Sequence, residues 1–160
     1  LVIYDSLYGN TEKIAQAVAA ALGPAEDAGL LRVGDVKPEH LAGLTLLVVG
    51  SPTQRFSATP AVTGLLKELP AGSLKGVRVA AFDTRFPQRV IAKTPALAFF
   101  VKLWGRSAWG ATHIARGLTQ KGGELAAPPE GFYVDGTEGP LLDGELERAA
   151  GWARQIAAVL

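Results

Sequence analysis

The chain has no cysteine and no methionine. Without cysteine there are no disulfides, no thiol catalysis and no thiolate metal site. Its only two histidines, His40 and His113, lie far apart in sequence. With so few possible partners they read as ordinary histidines, and no metal is expected. Long apolar runs are missing too. The strongest, Pro95 to Leu103, is far shorter than the roughly 20 residues of a spanning helix, and Lys102 sits near its end. Carboxylates are absent from Thr84 to Gly123, a span that holds Arg85, Arg89, Lys93, Lys102, Arg106, Arg116 and Lys121. Beyond it the sign reverses, with Glu124, Glu130, Asp135, Glu138, Asp143, Glu145 and Glu147 against Arg148 and Arg154. The cationic span reads as a solvated face or as a patch for an anionic partner. It holds no recognised nucleic-acid module, so nucleic acid is not expected as a partner.

What is present suits one domain over residues 1–160. The chain is 160 residues long, 48% hydrophobic, with a formal net charge of +1. That is enough apolar material for a full core and too much for a disordered chain. The sequence starts directly on an apolar run with no visible leader, which leads us to expect a soluble, cytoplasmic protein with no membrane span.

Apolar strands and amphipathic helices alternate. Strands are expected at Leu1 to Asp5, Gly29 to Val33, Leu44 to Val49 and Val77 to Phe82. A last strand region, Glu124 to Ala127 with Phe132 to Val134, is interrupted by Pro128-Pro129. The continuous apolar runs suit strands covered on both faces. Helices are expected from Thr11 to Leu22, from Thr59-Pro60 onward, within Ser107 to Gln120, and from Asp143 or Gly144 to the end, with a short helical turn at Pro38 to Ala42. The final helix should turn Leu146, Ala150, Ala153, Ile156, Ala157 and Leu160 inward. The stretch between Thr84 and Ser107 reads as a long connection. This alternation implies a parallel sheet wrapped by helices on both faces.

The most informative segment is Ser6-Leu7-Tyr8-Gly9-Asn10-Thr11. It joins the first strand to the first helix through small and hydroxyl residues. Free backbone N–H groups at a helix N-terminus, with the helix dipole behind them, form an anion site. Gly9 allows close approach, and Ser6, Asn10 and Thr11 offer side-chain donors. No Lys or Arg lies within the segment, unlike the nucleoside-triphosphate loop. Such a site suits a single phosphate monoester, and the phosphate of flavin mononucleotide (FMN) is the obvious candidate.

These residues resemble the phosphate loop of the flavodoxin family. The resemblance runs through Gly50-Ser51-Pro52-Thr53 and the tail segment Gly131 to Ala149, so it covers essentially the whole chain. No long insertion splits the last strand, so the layout resembles the short-chain flavodoxins. Flavodoxin is itself the type example of a doubly wound five-stranded parallel sheet of order 2-1-3-4-5, with its flavin beyond the carboxyl ends of the strands. The resemblance implies FMN as cofactor and three binding loops: Ser6 to Thr11; Ser51, Pro52, Thr53, Gln54, Arg55 and Phe56; and Asp83, Thr84, Arg85 and Phe86. Phe56, Phe86 or Tyr8 would stack on the ring, with Trp104 and Trp109 as further candidates.

Two departures stand out. Many flavodoxins are strongly acidic, whereas this chain places Arg55, Arg85 and Arg89 around the expected site. The second loop also has no Gly between Ser51 and Thr63, where flavodoxins turn a peptide toward the ring of the one-electron-reduced flavin. A non-Gly residue there pays roughly 1–2 kcal/mol for left-handed geometry. The resemblance implies an electron carrier between redox partner proteins, with no catalytic residue of its own, and the cationic span suits partners with acidic contact surfaces. One alternative is an FMN-dependent quinone or small-molecule oxidoreductase, with Pro95 to Trp104 lining a substrate entrance or a homodimer contact. The other is a cofactor-free interaction module.

Overall fold

A computed structural model describes residues 1–24 and 29–160. The elements in chain order are β1 (Val2–Tyr4), α1 (Asn10–Leu22), β2 (Leu30–Arg32), β3 (Leu46–Pro52), α2 (Pro60–Glu68), β4 (Arg78–Arg85), α3 (Gln88–Ala92), α4 (Pro95–Trp104), α5 (Gly110–Gln120), β5 (Glu124–Leu125), β6 (Glu130–Tyr133) and α6 (Glu145–Ala157). The sheet is parallel, in the order β2-β1-β3-β4-β5. β6 continues along the same edge of β4 that β5 occupies. Arg78 and Val79 pair with β5, and Phe82 to Arg85 pair with β6. The fifth position is thus one strand in two pieces. Pro128 and Pro129 lie between them, and neither can donate to the ladder.

Alternation along the strands sorts side chains into two cores. Val2, Tyr4, Val48, Ala80 and Phe82 face α1 and α6, whereas Ile3, Leu47, Val49, Val79 and Ala81 face α2 and α5. Pro60 opens α2 behind Thr59, whose hydroxyl accepts from the Val62 N–H. That is the start signal read from the sequence.

Two expectations change. The inner face of α6 is Glu145, Ala149, Trp152, Ala153 and Ile156, while Leu146 and Leu160 are exposed. The period is right and the phase is shifted by about one residue. Trp152 sets the phase by packing edge-on against Phe82 and Phe132. Glu145 can be buried because it accepts from the Tyr133 N–H at 2.8 Å and pairs with Arg148. The second change is in the long connection, which folds into α3 and α4. No residue of α4 is buried.

Candidate functional site

The loops leaving β1, β3 and β4 meet beyond the carboxyl ends of these strands, where order 2-1-3-4-5 reverses direction. Gly50 permits the close packing beneath them. It pairs with Phe82 across the sheet, and a Cβ at this position would lie 2.0 Å from the Phe82 ring. Above this floor is a cleft of about 760 Å³.

The β1–α1 loop forms one end of the cleft. Ser6, Asn10 and Thr11 are buried polar residues. Gly9 takes φ +82°, a left-handed conformation that costs a glycine nothing. Its N–H donates to Ser6 Oγ at 3.1 Å, and the Ser6 N–H donates to Asp5 Oδ1 at 2.9 Å. The first backbone bond of α1 runs from the Lys13 N–H to the Gly9 carbonyl. The N–H groups of Asn10, Thr11 and Glu12 therefore have no intrahelical acceptor, and among the described residues none caps them. Thr11 and Thr84 share a hydroxyl–hydroxyl bond of 2.8 Å; whichever donates, one hydroxyl proton is left for another acceptor. Asn10 Nδ2 donates to the Glu138 carbonyl at 2.9 Å, tying this loop to the tail.

A cation does stand beside this loop. Arg32 Nη2 donates to the Ser6 carbonyl at 2.7 Å and lies 3.7 Å from Asp5 Oδ1. Arg32 escaped the sequence reading because it is distant in the chain; the ladder sets it opposite Tyr4.

The opposite wall is the β3–α2 loop. Gln54 and Ser57 exchange backbone hydrogen bonds of 2.8 and 2.9 Å around Arg55 and Phe56. These central residues have φ of 46° and 64°. Two positive φ values in a two-residue hairpin are the type I′ arrangement, which normally takes Asn-Gly. Arg55 and Phe56 each bear about 1–2 kcal/mol for it. The loop therefore takes left-handed geometry without a glycine, at the cost read from its composition. The Phe56 ring meets Trp104 edge-on at 4.8 Å and Phe100 at 5.8 Å, so α4 supports the hairpin.

β4 supplies the floor. Asp83 is fully buried. Its Oδ2 accepts from Thr53 Oγ1 and the Ala111 N–H, each at 2.8 Å, and its Oδ1 pairs with Arg85 Nε. Thr53 Oγ1 also accepts from the Gly110 N–H at 2.8 Å. One carboxylate thus caps α5, anchors the β3–α2 loop and holds Arg85. Burial pushes the Asp83 carboxyl above its ordinary range, against the opposing pull of Arg85, Ala111 and Thr53. The Arg85 guanidinium lies over the Trp109 ring at 4.5 Å.

Most of the predicted residues meet at the cleft: Ser6, Leu7, Tyr8, Asn10, Thr11, Pro52, Thr53, Gln54, Arg55, Phe56, Thr84, Arg85 and Phe86. Gly9, Ser51 and Asp83 stand behind its surface. Ser51 Oγ accepts from the Thr59 N–H at 2.9 Å and so supports the start of α2. Arg89 does not line the cleft; it pairs with Asp135 on the surface at 2.7 Å. Sequence reasoning missed Ile91, Val134, Gly136 and Thr137, which close the sides with Leu97. Leu97 belongs to Pro95 to Trp104, the stretch that the oxidoreductase alternative set at a substrate entrance.

The family model for flavodoxin matches residues 2–152. The chain belongs to the flavodoxin family. Flavodoxin 2 from Bacillus cereus, in its oxidised state, is a structural neighbour at TM-score 0.74 and 21% identity, covering 99% of this chain and 97% of that one. A flavodoxin from the domain Archaea matches at TM-score 0.69 and 19% identity over 98% of this chain and 94% of its own. Rubredoxin oxygen:oxidoreductase from Desulfovibrio gigas contains the same fold in 34% of its chain, at TM-score 0.65 and 20% identity. No curated protein matches significantly. Flavodoxins in general bind FMN and pass electrons to redox partners. The donors here fit that group: unpaired amides and buried hydroxyls at one end of the cleft, apolar and aromatic side chains along the rest. No helix among the described residues is long and apolar enough to cross a membrane.

Proposed function

We propose that this flavodoxin holds FMN in the cleft and carries electrons between redox proteins, working as a single domain over residues 1–160 in the cytoplasm. The observation that carries this reading is the unsatisfied first turn of α1, beside the Thr11–Thr84 hydroxyl pair, at one end of a mostly apolar cleft. Ser6 to Thr11 would take the phosphate, with Gly9 shaping the turn. Ser51 to Phe56 and Asp83 to Phe86 would hold the ring, Ser51 and Asp83 from behind. The bound flavin would supply the redox chemistry. The chain's own residues bind and orient it, exclude water through Phe56, Ile91, Leu97 and Trp109, and set the charge around it. Arg85 brings a positive charge that Asp83 largely offsets. Exposed Arg55, at the hairpin tip, suits a partner protein with an acidic contact surface.

The test compares FMN with riboflavin, which lacks the phosphate. Ser6→Ala with Thr11→Ala should weaken FMN by at least about tenfold, since hydrogen bonds to a charged group are the strong ones. Riboflavin should change far less. Equal weakening of both ligands in a fluorescence titration defeats the phosphate assignment.

The apolar side of the cleft favours one second reading, an FMN-dependent oxidoreductase acting on a quinone or another small molecule. Steady turnover of a quinone with a nicotinamide donor would select it over the carrier.

A further inference from the structure

We infer that α4 is a docking element for an anionic lipid surface, on which it lies without spanning. Its sequence, Pro-Ala-Leu-Ala-Phe-Phe-Val-Lys-Leu-Trp, is strongly apolar, yet it buries no residue against the rest of the molecule. Phe99 and Leu103 are 62% and 63% exposed. Four residues apart on a helix, they protrude on the same side. Phe100 and Trp104 form the next row and lean on Phe56, which fixes the helix to the hairpin. Apolar side chains standing this far into water in a contiguous group mark an interaction surface.

The charge around the helix selects the occupant. Lys93, Lys102 and Arg106 are exposed and have no ion pair among the described residues. The chain from Thr84 to Gly123 contains no carboxylate. A second copy docked face to face would set this cationic patch against itself. A protein partner would need a groove shaped to two protruding side chains. A lipid surface needs none: Phe99 and Leu103 enter the acyl boundary, Trp104 sits at headgroup level, and the cations meet lipid phosphates. Leu97 of the same helix lines the cleft, so a docked molecule keeps its cleft beside the lipid.

The experiment is flotation of the intact protein with vesicles of phosphatidylcholine alone or mixed with phosphatidylglycerol, at low and high salt. Wild type should bind the anionic vesicles at least about tenfold more tightly than the neutral ones, and less tightly in salt. Phe99→Ser with Leu103→Ser should lose about tenfold or more through the apolar contribution, and Lys102→Glu with Arg106→Glu through the charge. These side chains are exposed, so the thermal midpoint should stay near wild type in both variants. Failure to bind anionic vesicles overturns the proposal, as does equal binding to neutral ones. If the Ser variant binds undiminished, the attachment is purely ionic, the patch suits an acidic protein, and the proposal fails. A dimer in sedimentation that the same variant abolishes gives the face to a second copy instead. None of these outcomes depends on FMN, so the cofactor reading stands or falls separately.

Discussion

The two walls of the cleft are built by opposite means. The β1–α1 wall places a glycine where the backbone needs positive φ, at Gly9, shapes its turn with the Gly9–Ser6 bond, and ties its other buried polar side chains, Asn10 and Thr11, to Glu138 and Thr84. The β3–α2 wall uses Arg55 and Phe56 at positive φ and leans on an exposed helix. The first wall is locally consistent: residue type, turn geometry and helix start agree. The second is locally strained at Arg55 and Phe56, and besides its own Gln54–Ser57 backbone pair it is held by Asp83 below and α4 above. Strain of this kind is found where a surface has a task besides folding. The first wall matches residue type to backbone geometry, and the second carries left-handed strain that its surrounding contacts hold in place.

The comparison can be broken at its anchor. Asp83→Ala leaves Arg85, the Ala111 N–H and Thr53 without their shared acceptor, and should cost about 3–5 kcal/mol, as for a buried pair that loses one member. Urea unfolding measures this. A loss under about 1 kcal/mol, the worth of one ordinary hydrogen bond, would mean that the second wall does not depend on Asp83.

Hydrogen exchange sharpens the contrast between the helices behind the walls. The amides of α4 from Phe100 to Trp104 should exchange about 100-fold faster than those of α1 from Ile14 to Ala19, because α4 has no buried face. Similar protection in the two helices would show that α4 is as firmly held as the core. The smallest effect comes from the turns themselves. Gly9→Ala should destabilise by about 1–2 kcal/mol. Arg55→Asn should stabilise by about 0.5–1 kcal/mol, since Asn tolerates the left-handed region and the Arg55 side chain is exposed. Equal signs for the two substitutions would contradict the idea that one wall is relaxed and the other strained.

The turn from β1 into α1 was legible because its signal is local. Ser6, Gly9, Asn10 and Thr11 are consecutive or nearly so, and a strand running into a helix leaves the chain few ways to turn. The flavodoxin order and the break at Pro128-Pro129 were likewise legible, from resemblance and from the missing donors of proline. Arg32 was not, because its place beside Ser6 follows from strand register, which pairs residues far apart in the chain. The phase of α6 was misread because Glu145 looks like a surface residue until Tyr133 and Arg148 come near it.

By itself the amino-acid sequence determined the alternation of strands and helices, the two-sided cover of the sheet, the glycine at the first turn and the carboxylate-free span. All of these depend on periodicity or on neighbours in the chain. Only the tertiary structure decided that Asp83 faces inward to hold three elements, that Arg85 is paired while Arg89 turns to the surface, and that Arg55 and Phe56 accept left-handed geometry. It also decided that Pro95 to Trp104 forms a helix with its apolar side uncovered. Each depends on which distant groups meet, because a buried charge needs its partner and a strained turn needs outside contacts to hold it.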